Sequence, residues 1–113
     1  MHEVSVMTEV FQIINENIKI HNLKRIDKVV LKIGSFTCIE ESSLRFVFKS
    51  MAKETICKDA ELIIVKVKAR AYCDYCKHEF NIEYTNKICP KCNRFSSNII
   101  DGYELLLESI EGE

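Results

Sequence analysis

Neither sign of charge predominates in this chain, in which 16 Lys and Arg stand against 17 Asp and Glu for a formal charge of -1. With no overall basic excess to condense on a phosphate backbone, generic nucleic-acid binding is disfavoured. Long apolar runs are missing too: no stretch approaches the ~18 apolar residues of a membrane span. Where a secretory signal would carry a basic stretch and then an apolar run, the chain has Glu3 and Glu9. These absences point to a cytoplasmic address. Low-complexity segments are lacking, and no Ser-His-Asp or paired-carboxylate arrangement can be read from so short a chain, so no catalysis is expected.

What remains is a foldable composition. With 113 residues, 47% of them hydrophobic, the chain has material for one core, as one domain or a domain plus a small insert.

Periodicity sets out the elements. From Val4 to about His21, Met7, Val10, Phe11, Ile14 and Ile18 recur at helical spacing. From Ile26 to Phe36, Val29, Leu31 and Ile33 alternate with Lys28 and Lys32 and stop at Gly34, which predicts a half-buried strand. Ser42 or Ser43 is placed to cap a second helix carrying Leu44, Val47, Phe48 and Met51. Glu61 to Arg70 alternates as a strand, with Val65, Val67 and Ala69 opposite Lys66, Lys68 and Arg70, and Tyr103 to Ile110 predicts a last strand. The expectation is an α+β fold: two helices packed on a small three-stranded sheet, with an inserted four-cysteine zinc-ribbon subdomain. The insert is expected at 71-97, within a discontinuous body of 1-70 and 98-113.

The insert carries the strongest motif. Cys73-Asp74-Tyr75-Cys76 and Cys89-Pro90-Lys91-Cys92 are two C-x-x-C pairs separated by twelve residues. In a reducing compartment such clustered pairs indicate metal rather than disulfides. Four thiolates can surround one Zn²⁺ tetrahedrally and leave no vacancy for a substrate, so the site is expected to be structural. Phe80 to Tyr84 alternates as a short hairpin strand between the pairs. A redox dithiol is disfavoured by the presence of two pairs on a hairpin, whereas iron with four thiolates stays open. Lys77, Lys87, Lys91 and Arg94 either offset the charge of the site or are solvated. His78 is near enough in sequence to compete for or hydrogen-bond the metal shell, and an exposed loop histidine is the equal alternative. Cys38 and Cys57 stand apart and are expected to be small core or surface residues.

Several segments, in order, resemble the HypA/HybF family of nickel-hydrogenase maturation factors: Met1-His2-Glu3 with Val4-Ser5, Leu31-Lys32-Ile33-Gly34, Leu44-Arg45-Phe46-Val47-Phe48 and Ala60-Glu61-Leu62. Both cysteine pairs and Ile100-Asp101-Gly102-Tyr103-Glu104-Leu105 before Ser109 continue the likeness, which covers essentially the whole chain. The resemblance implies a nickel metallochaperone, not an enzyme, that delivers transiently bound nickel(II) to the precursor of a nickel-iron hydrogenase large subunit. It further implies cooperation with a hydrogenase accessory GTPase, and a urease maturation protein is a further candidate partner. Nucleic acid and membrane are not among the expected partners. Carried over by residue, His2 is the nickel ligand, Glu3 supports it, and Cys73, Cys76, Cys89 and Cys92 hold zinc. Lys49, where the family pattern has an acidic residue, and Glu54-Thr55, where Gly-Thr is common, depart from it.

Nickel at this end also has a chemical rationale. Ni²⁺ favours square-planar or tetragonal nitrogen coordination, which the Met1 α-amine, the His2 amide and the His2 imidazole can provide, with the Glu3 amide as a further donor. The first amides of a helix lack partners within it. Its positive end opposes a cation, which the Glu3 carboxylate offsets. The alternative reading is a zinc-ribbon nucleic-acid or transcription module, built on Lys77, Tyr84, Lys87, Lys91, Arg94 and Phe95. A zinc enzyme would need an open coordination position that four cysteines do not leave.

Overall fold

A computed structural model describes residues 3-113, so Met1 and His2 lie outside the described residues. The first helix, α1 (Glu3–His21), buries Val6, Met7, Val10, Phe11 and Ile14 along one stripe. It stops at Asn22, which takes the left-handed conformation at φ 52°. The Leu23 amide then reaches back to the Ile18 carbonyl at 3.0 Å, the closing bond of a left-handed C-cap.

Strand β1 (Ile26–Gly34) is the centre of the first sheet. It pairs in parallel with β2 (Glu61–Val67), reached through α2 (Glu41–Ala52), and antiparallel with β6 (Leu105–Gly112). Val29, Leu31 and Ile33 of β1 are buried against Met7, Ile14, Leu44 and Phe48 of the helices, while Lys28 and Lys32 pair with Glu111 and Glu108. The sheet therefore has one face under the helices and one face outward, as the alternation in β1 requires. Among the described residues no helix is long and apolar enough to cross a membrane.

Local details differ from the sequence expectation. The cap of α2 is Glu40, whose carboxylate accepts from the Ser43 amide at 3.0 Å and the Ser42 amide at 3.2 Å. Ser42 and Ser43 are the capped residues and donate their hydroxyls to the same carboxylate. The alternation at Glu61 to Arg70 is not one strand: β2 ends at Val67, and Arg70 opens β3 of a second sheet. Val65, on the expected apolar face, lies beside Lys32 and is exposed, whereas Leu62 is buried beside Val29. Because Leu62, Ile63, Ile64 and Val65 are all apolar, the strand's own pattern does not choose a face; pairing with β1 does. The last strand begins at Leu105, not Tyr103, and Tyr103 sets its ring edge-on to Phe36 at 5.6 Å.

The second sheet has the order β4-β3-β5, from β3 (Arg70–Cys73), β4 (His78–Asn81) and β5 (Ile99–Asp101). The strand expected at Phe80 to Tyr84 is thus shifted to His78–Asn81. Its core is small: Phe36, Ala69, Ala71, Cys73, Phe80, Ile82 and Cys89. The two sheets give a long molecule, with principal extents of 54 × 25 × 18 Å and a radius of gyration of 17.6 Å. A compact chain of this length would have roughly 13 Å.

The joint between the sheets is made by backbone contacts at the end of β1. The Gly34 amide donates to the Glu104 carbonyl at 2.8 Å, Ser35 to Val67 at 2.9 Å and Phe36 to Gly102 at 2.7 Å. A Cβ at Gly34 would lie 2.2 Å from the Gly102 oxygen, so the crossing strands need glycine there.

Candidate metal centre

The four clustered cysteines converge. Cys73 ends β3, Cys76 follows in the tight turn to β4, and Cys89 and Cys92 sit in a second turn before β5. The two turns are built alike. The residue after the second cysteine is left-handed in each, Lys77 at φ 56° and Asn93 at φ 59°. Each donates its amide to the carbonyl of its first cysteine, Lys77 to Cys73 at 2.7 Å and Asn93 to Cys89 at 2.8 Å. The repeated C-x-x-C is therefore a repeated backbone turn that aims two sulfurs inward.

All four Sγ atoms lie within 4.8 Å of one another, and those of Cys73 and Cys92 are 3.6 Å apart. A tetrahedral ion with metal–sulfur bonds of about 2.3 Å requires sulfur separations near 3.8 Å. The donor set fits such an ion, in the chemistry of its ligands and in its spacing, and fills every position. Cys73 and Cys89 are buried and Cys76 and Cys92 half-buried, so the centre sits at the edge of the second core rather than in a cleft.

The thiols are inequivalent. Burial pushes Cys76 up to about 12, reinforced by hydrogen bonds with Cys92, Cys89 and Cys73. Burial also opposes ionisation of Cys89, but the amides of Cys92 and Lys91 and the neighbouring thiols outweigh it and bring it down to about 7. Backbone amides thus stabilise negative charge on sulfur, as a thiolate ligand needs. The Cys76 amide donates to the Cys73 sulfur at 3.3 Å.

The remaining candidates separate clearly. His78 pairs across the hairpin with Cys73 and places Nε2 3.9 Å from the Cys89 sulfur, which is hydrogen-bond contact. Its Nδ1 is buried without a partner. Cys57 is a buried core residue whose thiol burial pushes up, and Cys38 is exposed. Of the basic residues beside the cysteines, Arg94 stacks over Tyr75 at 3.8 Å and Lys87 lies over the Phe36 ring at 5.8 Å. Tyr84, though exposed over much of its surface, stacks on Phe36 with centroids 4.3 Å apart. This joint was not foreseen, since aromatic residues in a ribbon read equally as surface groups. Glu3 opens α1 and is half-buried, while the Met1 and His2 expectations fall outside the described residues.

Comparison with known proteins extends the likeness to the full length. Residues 1–112 match the family model described as hydrogenase/urease nickel incorporation, metallochaperone, HypA. A hydrogenase maturation factor HypA of Desulfitobacterium hafniense is 38% identical over 113 residues, covering 100% of this chain and 99% of that one. HybF of Escherichia coli is 34% identical, with both chains covered in full at 100%. The solution structure of the nickel metallochaperone HypA from Helicobacter pylori superposes with a TM-score of 0.67 at 32% identity, covering 99% of this chain and 97% of that one.

Proposed function

The chain belongs to the HypA family of nickel metallochaperones, and from that premise we propose that it carries Ni²⁺ at His2 and holds zinc at Cys73, Cys76, Cys89 and Cys92. It is a metallochaperone for nickel-iron hydrogenase maturation and not an enzyme. The observation that carries the site assignment is the family match from residue 1 to residue 112, which spans His2-Glu3 and all four cysteines.

The two metals have different tasks. Zinc in a closed four-sulfur shell supplies no open position, so its contribution is to stabilise an insert whose own core is too small to do so. We assign that insert to 71-97, on a body of 1-70 and 98-113; its core is separate from the main one and is completed by Phe36 and Ala69 of the body. Nickel is cargo. The His2 imidazole is the principal donor, with the Met1 amine and the Glu3 amide as supporting donors and the Glu3 carboxylate offsetting the positive end of α1. A cation opposed by a helix N-terminus is held weakly enough to be passed on.

The receiving protein is the precursor of the hydrogenase large subunit, an accessory GTPase is the cooperating partner, and a urease maturation protein is a second candidate, in keeping with a family named for hydrogenase and urease nickel incorporation. The work is cytoplasmic, where a metal-free precursor would be met. The nucleic-acid alternative loses two of its groups, since Tyr84 and Lys87 face Phe36 of the body.

Titration of Ni²⁺ into tag-free protein beside His2→Ala, with zinc assayed in both, tests the assignment. Uptake of one Ni²⁺ only by the wild type, with one zinc retained by each, is the expected result. Equal nickel uptake by the two proteins would sink the His2 assignment. Blocking the amine by acetylation should weaken nickel binding without displacing zinc.

A further inference from the structure

The outer face of α2 carries a feature that metal handling does not use. Phe46, Lys49, Ser50 and Lys53 follow one another at helical spacing and, with Lys58 from the next turn, line one shallow concavity. The opposite face, Leu44, Phe48 and Ala52, is buried, so this one looks outward. Phe46 is 72% exposed in mid-helix.

A single exposed apolar side chain is ordinary, and lysines near a helix C-terminus compensate its dipole. Neither explains the combination. Lys58 lies beyond the helix, and Phe46 contributes nothing to a dipole. Among the described residues, the ion pairs of α2, Glu41 with Arg45 and with Lys66, leave all three lysines out, and no carboxylate lines the concavity. An aromatic ring ringed by unpaired positive charge is the arrangement of an interface anchor with a charged rim.

We propose that the concavity formed by Phe46, Lys49, Ser50, Lys53 and Lys58 docks an acidic protein segment that carries an apolar residue for Phe46. A protein segment suits the surface better than a nucleic acid. The chain as a whole is at -1, so no wider field draws a phosphate backbone, and the patch offers one ring rather than a row of stacking platforms. The patch shares no residue with His2 or with the four cysteines.

The probe is a fluorescein-labelled peptide of Glu and Asp around a central Leu-Phe pair, followed by fluorescence anisotropy with full-length, zinc-loaded protein. Saturable binding is expected, weakened roughly tenfold or more by Lys49→Glu with Lys53→Glu and screened by salt. Phe46→Ser should weaken it as well, and replacing the peptide's Leu-Phe by Ala-Ala should reproduce that loss. Lys19→Glu in α1 with Lys24→Glu just beyond its end should leave binding unchanged. Lys58→Glu, outside any helix, gives an independent reading should the α2 variants alter folding. No binding, equal loss from both lysine pairs, or insensitivity to Phe46→Ser would overturn the proposal. So would tighter binding of oligothymidylate or phosphatidylserine vesicles through the same residues.

Discussion

Tyr84, from the cysteine-bearing segment, donates its hydroxyl to the carbonyl of Phe36 at 2.8 Å while its ring stacks on the Phe36 ring. Its phenol is pushed up to about 12, chiefly by the hydrogen bond to the Cys38 thiol and then by burial, so the donor keeps its proton across the physiological range. Phe36 follows the end of β1 and belongs to the second core. This contact therefore adds to the backbone joint in holding the ribbon against the body. Phe36→Ala is expected to destabilise the protein by about 3 kcal/mol, as for a buried aromatic truncated in a core, measured by urea denaturation. Tyr84→Ala should leave both lobes folded but let them tumble separately, visible as two alignment tensors in residual dipolar couplings. A single shared tensor in that variant would show that the backbone joint alone sets the angle.

Gly34→Ala should be more damaging at the same joint. Its new methyl would meet the Gly102 oxygen at 2.2 Å and the Glu104 amide at 2.7 Å, both backbone, which no rotamer change relieves. Loss of the Gly34 to Glu104 pairing and a clear drop in melting temperature are expected, with amide exchange rising first around residues 34 and 102-104. Wild-type stability in this variant would mean that the crossing strands have room to part.

Glu40 supplies a pH dependence with a definite sign. Hydrogen bonds from the Ser42 and Ser43 side chains, and from their amides, lower its carboxyl from the ordinary 4.5 to about 2. A carboxyl lowered on folding stabilises above its unfolded value, and that contribution is lost as pH falls from about 4.5 towards 2. Glu40→Gln should therefore melt below the wild type at neutral pH, and the gap should close through this acidic window. A gap that stays constant would mean that the charge of Glu40 contributes nothing to the cap.

Metal removal should act on one lobe first. The second core has seven buried residues, and Cys73 and Cys89 are two of them, so chelation withdraws both the ion and its packing. With EDTA, or in Cys89→Ala, the signals of β3, β4 and β5 should collapse while the far-UV helical signal of α1 and α2 persists. Equal loss of both signals would show that the two lobes fold as one unit.

Sequence reasoning reached the parts governed by local periodicity. The buried stripe of α1, the alternation of β1 and the two C-x-x-C turns each repeat over a few residues, so neighbours alone reveal them. The cap of α2 was misplaced because Ser is a more usual acceptor than Glu, and only the geometry shows which side chain bends back. The break between Val67 and Arg70 was missed because the alternation runs through it unaltered.

By itself the sequence determined the two helices, the central strand, the two cysteine pairs and the family likeness, because hydrophobic period and thiol spacing are properties of adjacent residues. Tertiary structure alone decided which face of β2 is buried, how Gly34 and Gly102 cross, that Tyr84 closes on Phe36, and that Phe46 and its lysines are left uncovered. Those outcomes depend on contacts between segments far apart in the chain, whose geometry exists only once the sheets are assembled.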